Sequence, residues 1–373
     1  MSGGGPADQS RPLRIAFVSH VFWPERRRGG ERLIRDLSDA LIARGHSVRL
    51  VTSHRGMPSR RDENGLEVVR QLRPPERPLN RLGFPAGTSH APLAWWSLRR
   101  GRDDVVQAWT PAAGLAAAHS ARASVLVFQG LFHPDDVNTR PRVRDMVLRA
   151  ARGCDVVTVY SEAAARAFRE HTGVEARAIE PGIRLDAFTP GGDRHVAPAI
   201  FCAADPDEAR KRVPLLVAAF EQVRAERPDA ELWLMGTHDE RMARAPGVRI
   251  VEPGADQRRL VELYRSAWVT VLPAYREAFG LVVVESLACG TPVVVMSDGG
   301  GAVDIVQGGG ADAGVVAEPD AASLAAALLA RFDVAPHAAA CRRRAEDFPI
   351  ARCAERYEVL YRELGGAART LRR

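Results

Sequence analysis

Short β-rich runs alternate with amphipathic helical stretches along this chain, and the alternation restarts once near the middle. RIAFVSH (14–20) has the near-continuous apolar character of a strand buried on both faces. GERLIRDLSDALIARG (30–45) follows, with Leu33, Ile34, Leu37, Leu41 and Ile42 on one helical face and Gly45 as a stop. SVRLVTS, LEVVRQL, DVVQAW, SVLVFQ and DVVTVYS continue the strand series, most of them separated by helical segments. From AIFCAA (199–204) the pattern begins again, through ELWLMG, VRIVEP, WVTVLP, TPVVVM and AGVVAE, with VPLLVAAFEQVRAE and DQRRLVELYRSA as helices. Strands separated by helices pair in parallel, and a parallel sheet needs helices on both faces. The spacing therefore predicts two doubly wound α/β domains, over 12–187 and 196–349. LDAFTPGGDRHVAP (185–198), rich in Gly, Pro and polar residues, reads as the linker. IARCAERYEVLYREL reads as a last helix over 350–365 that packs back onto the first domain. Residues 1–11 and 366–373 are expected to be disordered tails. A cleft between two such sheets is a natural ligand site.

Charge narrows the class of ligand. The net charge is +6, which suits anionic partners such as nucleotides and phosphates. Aromatic residues are 6% of the chain and do not interleave with the basic ones, so a nucleic-acid role has little support. Of 52 basic residues only Lys211, within DPDEARKRVPLL (205–216), is a lysine. Five cysteines (Cys154, Cys202, Cys289, Cys341, Cys353) form no CxxC pair and read as buried free thiols of a reducing compartment. The opening MSGGGPADQSRP does not read as a signal peptide, and no run nears the ~18 apolar residues of a membrane span, so neither a leader nor a membrane helix is expected. A cytoplasmic location is expected.

The most informative stretch is PAYREAFGLVVVESLACGTPVVV (273–295). It reads as a strand end at Pro273, a loop with Glu277, Phe279 and Gly280, a helix from Leu281 to Cys289, a stop at Gly290 and a new strand from Thr291. A helix start presents free N–H groups and partial positive charge, which suits phosphate. Gly280 permits close approach to the backbone. Glu277 and Glu285 can both face one crevice, and a carboxylate accepts hydrogen bonds from the vicinal hydroxyls of a sugar or ribose.

Glu277 and Glu285, as E-x7-E in the context EAFGLVVVESLACGTPVVV, resemble the signature of the retaining GT-B glycosyltransferases related to glycogen synthase and sucrose synthase, the nucleotide-sugar family numbered four. FWPERRRGGERLIRDLSDALIARGHSVRLVTSH is similar to that family's opening, IEPGIRLDAFTP to its interdomain segment, and SDGGGAVDIV to its post-motif segment, with Asp304 where Glu is common. The resemblance implies a GT-B fold of two Rossmann-like domains facing each other, the first binding acceptor and the second the nucleotide sugar. It implies that Glu285 holds the ribose and that Glu277 contacts the donor sugar. It also implies that the backbone at Ala278, Phe279, Gly280 and Leu281 holds the diphosphate or sugar, and that Lys211 binds the diphosphate. The family's usual arginine falls near Asp205 and Pro206 here, so Arg210 or Arg212 is expected to supply the second phosphate contact. Gly30 would approach the donor phosphate, with Gly29 and Arg28 on the acceptor side. Arg26, Arg27 and Arg28 also fit an ordinary solvated charge run.

The chain departs from that family on the acceptor side. Gln129 stands where many relatives carry a histidine beside the reacting carbon, and an amide does not shuttle protons. His133, four residues on, is the alternative. An expected HxH before this strand reads Gln107-Ala-Trp109. The basic segment 140–152 is either a surface helix covering the first sheet or a contact for anionic lipid. The implied activity is metal-independent, cofactor-free and retaining. It moves a hexosyl unit from a nucleotide-diphosphate sugar, UDP by default, to a hydroxyl of a small-molecule or lipid-linked acceptor. The alternatives are a non-catalytic nucleotide-sugar binder or a nucleotide-sugar epimerase. A dinucleotide oxidoreductase would need G-x-G-x-x-G after the first strand, which HVFWPERRRGG does not supply.

Overall fold

The computed structural model describes residues 11–370, except 27, 121, 134–139, 207, 237–238, 253–256 and 335–336. Arg27, most of the 130–140 loop and nearly all of the expected tail 1–11 lie outside the described residues. The contacts divide into two units, Met1–Glu180 with Ile350–Arg373, and Pro181–Pro349.

The first unit holds eight strands: β1 (Arg14–Val18), β2 (Ser47–His54), β3 (Ser59–Glu63), β4 (Leu66–Leu72), β5 (Val105–Ala108), β6 (Ala123–Val127), β7 (Val156–Val159) and β8 (Ala176–Ala178). They run in the order β3-β4-β2-β1-β5-β6-β7-β8. All pairings are parallel except β3 with β4. SRRDE (59–63) turns back as an antiparallel edge strand. Its exposed charges give no apolar alternation to read, and a charged edge also resists pairing with another chain. The helices are α1 (Gly29–Ala43), α2 (Arg77–Arg81), α3 (Ala91–Arg100), α4 (Pro111–Ala118), α5 (Pro141–Gly153) and α6 (Glu162–Thr172). Strands β1, β5, β6 and β7 are mostly apolar and buried along nearly all their length, as central strands of a parallel sheet are. Helix α5 buries Met146, Val147, Ala150 and Ala151 and leaves its arginines outside, as a surface helix on the first sheet does.

The second unit is a six-stranded parallel sheet of β9 (Ala199–Cys202), β10 (Glu231–Met235), β11 (Val248–Val251), β12 (Val269–Leu272), β13 (Val293–Met296) and β14 (Gly314–Ala317). Its order is β11-β10-β9-β12-β13-β14. The helices are α7 (Val213–Glu226), α8 (Glu240–Ala243), α9 (Gln257–Ser266), α10 (Leu281–Ala288), α11 (Gly301–Ala313, broken at Gly310), α12 (Ala321–Phe332) and α13 (Ala338–Ala345). The unit begins at Pro181, earlier than the composition of 185–198 implies, because arginines and rings anchor the linker to it. Arg342 Nη1 donates to the carbonyls of Leu185 (3.1 Å) and Phe188 (2.6 Å). Arg265 Nε donates to Thr189 O at 2.6 Å, and the Ile183 N–H to Phe348 O at 3.0 Å. All five cysteines are free and buried.

Helix α14 (Ile350–Thr370) returns to the first unit, where it packs on α1, β5 and β6. It runs past residue 365, so the stretch expected as a disordered tail is helical through Thr370. Tyr361 donates its hydroxyl to Gln107 Oε1 in the buried interior, so Gln107 serves packing. Glu358 ties the helix to α1 through Arg44 at 2.6 Å and lies 3.4 Å from His46. Burial pushes the Glu358 carboxyl up, but the hydrogen bonds from Arg362, Arg44 and His46 outweigh it and hold it at about 2, against an ordinary 4.5. A depressed carboxyl stabilises fully above its unfolded value and loses that contribution as pH falls through its folded one. Glu358→Gln should therefore be less stable than the parent at pH 7, with the difference shrinking between about pH 4.5 and 2 in urea titrations. Among the described residues no helix is long and apolar enough to cross a membrane.

Candidate functional site

In the second sheet the chain leaves β9 toward β10 on one side, and β12 lies on the other. That is the topological switch point, where loops leaving the carboxyl ends of adjacent strands part and open a crevice. The loop after β9 carries Lys211 and the loop after β12 carries Glu277. The Tyr275 N–H donates to Arg210 O at 3.2 Å, joining the two loops. Lys211 Nζ sits 2.5 Å from Glu277 Oε2, and Arg210 Nη1 lies 3.0 Å from the same oxygen. Arg210 also grips Glu208 Oε1 at 3.0 Å. The Lys211 and Glu277 side chains are each 15% exposed, which leaves a path for a ligand. Burial would raise the Glu277 carboxyl, but Lys211 and Arg210 more than offset it and hold it below its ordinary value. Glu277 is therefore anionic at neutral pH, and its ion pairs weaken only as pH falls through that lowered value.

Arg212, expected with Arg210 as a candidate for the second phosphate contact, is held by a different partner. Its guanidinium makes a two-pronged pair with Asp298, at 2.9 and 2.5 Å, and donates to Pro273 O at 3.0 Å. A fork already matched to a carboxylate braces the loop and leaves Arg210 as the arginine beside Glu277. Arg212 and Arg276 hold positive φ angles of 47° and 51°, so both loops are bent tightly here.

The glycine-rich segment after β13 packs directly on the Glu277 backbone. The Gly301 N–H donates to Glu277 O at 2.9 Å. Gly300 has φ +63°, and a Cβ there would lie 2.5 Å from Glu277 O, so no larger residue fits. Gly280, at φ +102°, is the N-cap of α10 and supplies no side-chain cap. That end therefore keeps the partial positive charge of orphan N–H groups. Ala278 and Phe279 are buried, with Phe279 edge-on to Phe348 at 5.3 Å. Only their backbone can meet a ligand, while Leu281 is half-exposed at the helix start. Asp304 is exposed in the first turn of α11.

Glu285 lies one turn into α10 and is 1% exposed. Tyr264, from α9 and fully buried, donates its hydroxyl to Glu285 Oε2 at 2.9 Å. The sequence did not single out Tyr264. Its signal is a tyrosine on the apolar face of an amphipathic helix, where a buried hydroxyl needs a partner.

The first unit gathers its own residues at the carboxyl ends of β1, β5 and β6. Helix α1 starts at Gly29, with the Glu31 carboxylate accepting the Arg28 N–H at 3.0 Å. Arg28 itself is exposed. A Cβ on Gly30 would stand 3.1 Å from Gln129 Oε1, so the two are in contact. Gln129 Nε2 donates to Trp109 O at 2.7 Å. His133 packs beside α6. Its ring lies edge-on to His171 at 6.2 Å, in the last turn of α6. That helix starts beside the carboxyl end of β7 and runs back along the sheet for roughly 15 Å at 1.5 Å per residue. Among the described residues no cluster of His, Cys, Asp or Glu could hold a metal ion.

Two family models match the chain. "Glycosyltransferase Family 4" covers residues 27–187 and "Glycosyl transferases group 1" covers 197–333. The chain belongs to the family-4-type GT-B glycosyltransferases. Among curated members of the family, a D-inositol 3-phosphate glycosyltransferase of Catenulispora acidiphila is 34% identical over 43% of this chain and 42% of its own length. One of Nocardiopsis dassonvillei is 32% identical over 45% of each. The chain thus spans less than half the length of the curated relatives it matches. The GT-B fold is shared with sucrose-phosphate synthase of Thermosynechococcus elongatus, with a TM-score of 0.81, 22% identity, and 95% of this chain and all of that one covered. Anabaena HepE, solved with UDP and glucose, gives a TM-score of 0.71 at 17% identity over 92% of this chain and 98% of its own.

Proposed function

We propose that this protein transfers a hexosyl unit from a UDP-sugar to a hydroxyl of a small polyol acceptor, with retention at the anomeric carbon. The observation that carries the reading is the meeting of Lys211, Arg210 and Glu277 at the switch point of the second sheet, beside the uncapped start of α10. Two cations and a helix N-terminus make a diphosphate site, and a carboxylate next to them can accept sugar hydroxyls. UDP is favoured as the nucleotide by the complex of Anabaena HepE with UDP and glucose. A phosphorylated cyclitol is the first acceptor to test, because curated relatives carry D-inositol 3-phosphate in their names.

In this reading the bond from the anomeric carbon to the diphosphate oxygen breaks as the acceptor oxygen bonds on the same face. The acceptor proton passes to the departing diphosphate, so no histidine is needed where Gln129 stands. Lys211, Arg210 and the α10 N-terminus offset the charge that grows on the leaving group, without a metal ion. Gln129, with Gly30 against it, offers an amide to an acceptor hydroxyl. A cytoplasmic location, where nucleotide sugars are available, goes with this reading.

The test is incubation of the full chain with UDP-glucose or UDP-N-acetylglucosamine and an inositol phosphate, with mass spectrometry of the product and NMR of the new linkage. A disaccharide-like conjugate with the donor's anomeric configuration, formed equally in EDTA, supports the reading. Inverted configuration, loss of turnover in EDTA, or release of UDP with free or epimerised sugar overturns it.

A further inference from the structure

Glu285 is a carboxylate with almost no exposure, and one of its oxygens is already held. Tyr264 donates to Oε2 at 2.9 Å from a fully buried ring. That ring is itself fixed. Phe201 of β9 and Phe188 stand edge-on to it, at 5.2 and 6.2 Å between centroids, and the Thr291 hydroxyl donates to Tyr264 O at 2.7 Å. The next residue, Ser286, is equally fixed, with its hydroxyl 2.7 Å from Thr270 Oγ1 on β12 and 2.9 Å from Thr291 O. Ring, helix and carboxylate therefore have little freedom relative to one another. A carboxylate without such a partner would rotate about its last torsion, whose well is broad. One buried hydrogen bond from a hydroxyl removes that freedom and sets which oxygen lone pairs remain to be used.

We infer that Tyr264 is a positioning residue for ribose recognition, its hydroxyl holding the Glu285 carboxylate in the orientation that accepts the vicinal hydroxyls of the nucleotide. This rests on the proposed glycosyltransferase function and on the ribose contact that the E-x7-E resemblance implies for Glu285. Tyr264 touches no substrate in this account, and it acts only through the carboxylate. A site built to receive a hydroxyl rejects the analogue that lacks it, because its own polar group is left unmatched. Loosening the carboxylate erodes that discrimination, and binding of the deoxy analogue hardly changes.

The experiment is calorimetric titration of the full chain with UDP, ADP and GDP, each against its 2′-deoxy counterpart, for the parent, Tyr264→Phe and Glu285→Gln. The inference predicts that the parent prefers the best ribonucleotide by about tenfold or more over its deoxy form. In Tyr264→Phe that ratio falls at least fivefold, and affinity for the deoxy form stays within twofold of the parent. A Tyr264→Phe ratio equal to the parent's, or equal loss for both nucleotides, makes the tyrosine merely structural and overturns the inference. A parent that binds both forms alike, or a Glu285→Gln protein with undiminished preference, overturns the ribose reading itself and the inference with it. Should Tyr264→Phe not fold, a crystal structure of the parent with the ribonucleotide decides. The Tyr264 hydroxyl still on Glu285, with a ribose hydroxyl on the same carboxylate, supports the inference. Glu285 turned away from Tyr264 toward the ribose overturns it.

Discussion

Lys211→Met should lower kcat/KM for sugar transfer by about a thousandfold, with most of the loss in kcat. The ammonium is held at the switch point by the loop after β9, 2.5 Å from Glu277 Oε2. Charge on a leaving diphosphate increases as the sugar departs, so a cation there is worth more in the transition state than with bound donor. Methionine keeps the length of the stem and removes the charge. Arg210 and the start of α10 remain, which is why binding of UDP should weaken by only about tenfold. Lys211→Arg should recover less than a tenth of the lost activity. A planar fork needs fixed bidentate geometry, and the neighbouring Arg210 and Arg212 already occupy carboxylates on either side. Initial rates and UDP titrations of the three proteins check this, and near-parental turnover in Lys211→Met would remove the lysine from the mechanism.

The second large effect separates binding from turnover. Glu277→Gln should bind bare UDP about threefold to tenfold more tightly than the parent, while transfer falls about a hundredfold to a thousandfold. In the structure both cations point at one oxygen of Glu277. A diphosphate must draw Lys211 away from that carboxylate and sit near its negative charge. The amide keeps the shape and removes the repulsion, so the diphosphate gains. The sugar loses its charged acceptor at the reacting end, so kcat drops. The opposite signs of the two changes distinguish this account from a folding defect, which would weaken both. The same arrangement explains why Glu277 is ionised in the resting protein: burial works against its charge, and the two cations prevail.

Much of this site is legible in the amino-acid sequence. The E-x7-E spacing, Gly280 at a helix start and the solitary lysine each carry a local physical reason, and they fall where the sheet order opens. Most strands were legible because parallel strands covered on both faces are continuous apolar runs. Three features were not. The β3 edge strand has only charges on display, so no period reveals it. The partner of Arg212 is 86 residues away in sequence, so nothing local announces the pairing. Tyr264 looked like core because it is core, and only its single polar atom, meeting Glu285 from 21 residues away, gives it a further role. His133, four residues from Gln129 in sequence, stands beside His171 where the Phe128, Phe132 and Phe168 rings pack together, a contact no local pattern announces.

A crystal structure of the protein with a non-hydrolysable UDP-sugar tests the account most directly. It should show Lys211 Nζ parted from Glu277 and within hydrogen-bond distance of a diphosphate oxygen, with Glu277 on a sugar hydroxyl. A ligand seated elsewhere, with the Lys211–Glu277 pair still closed, would contradict it.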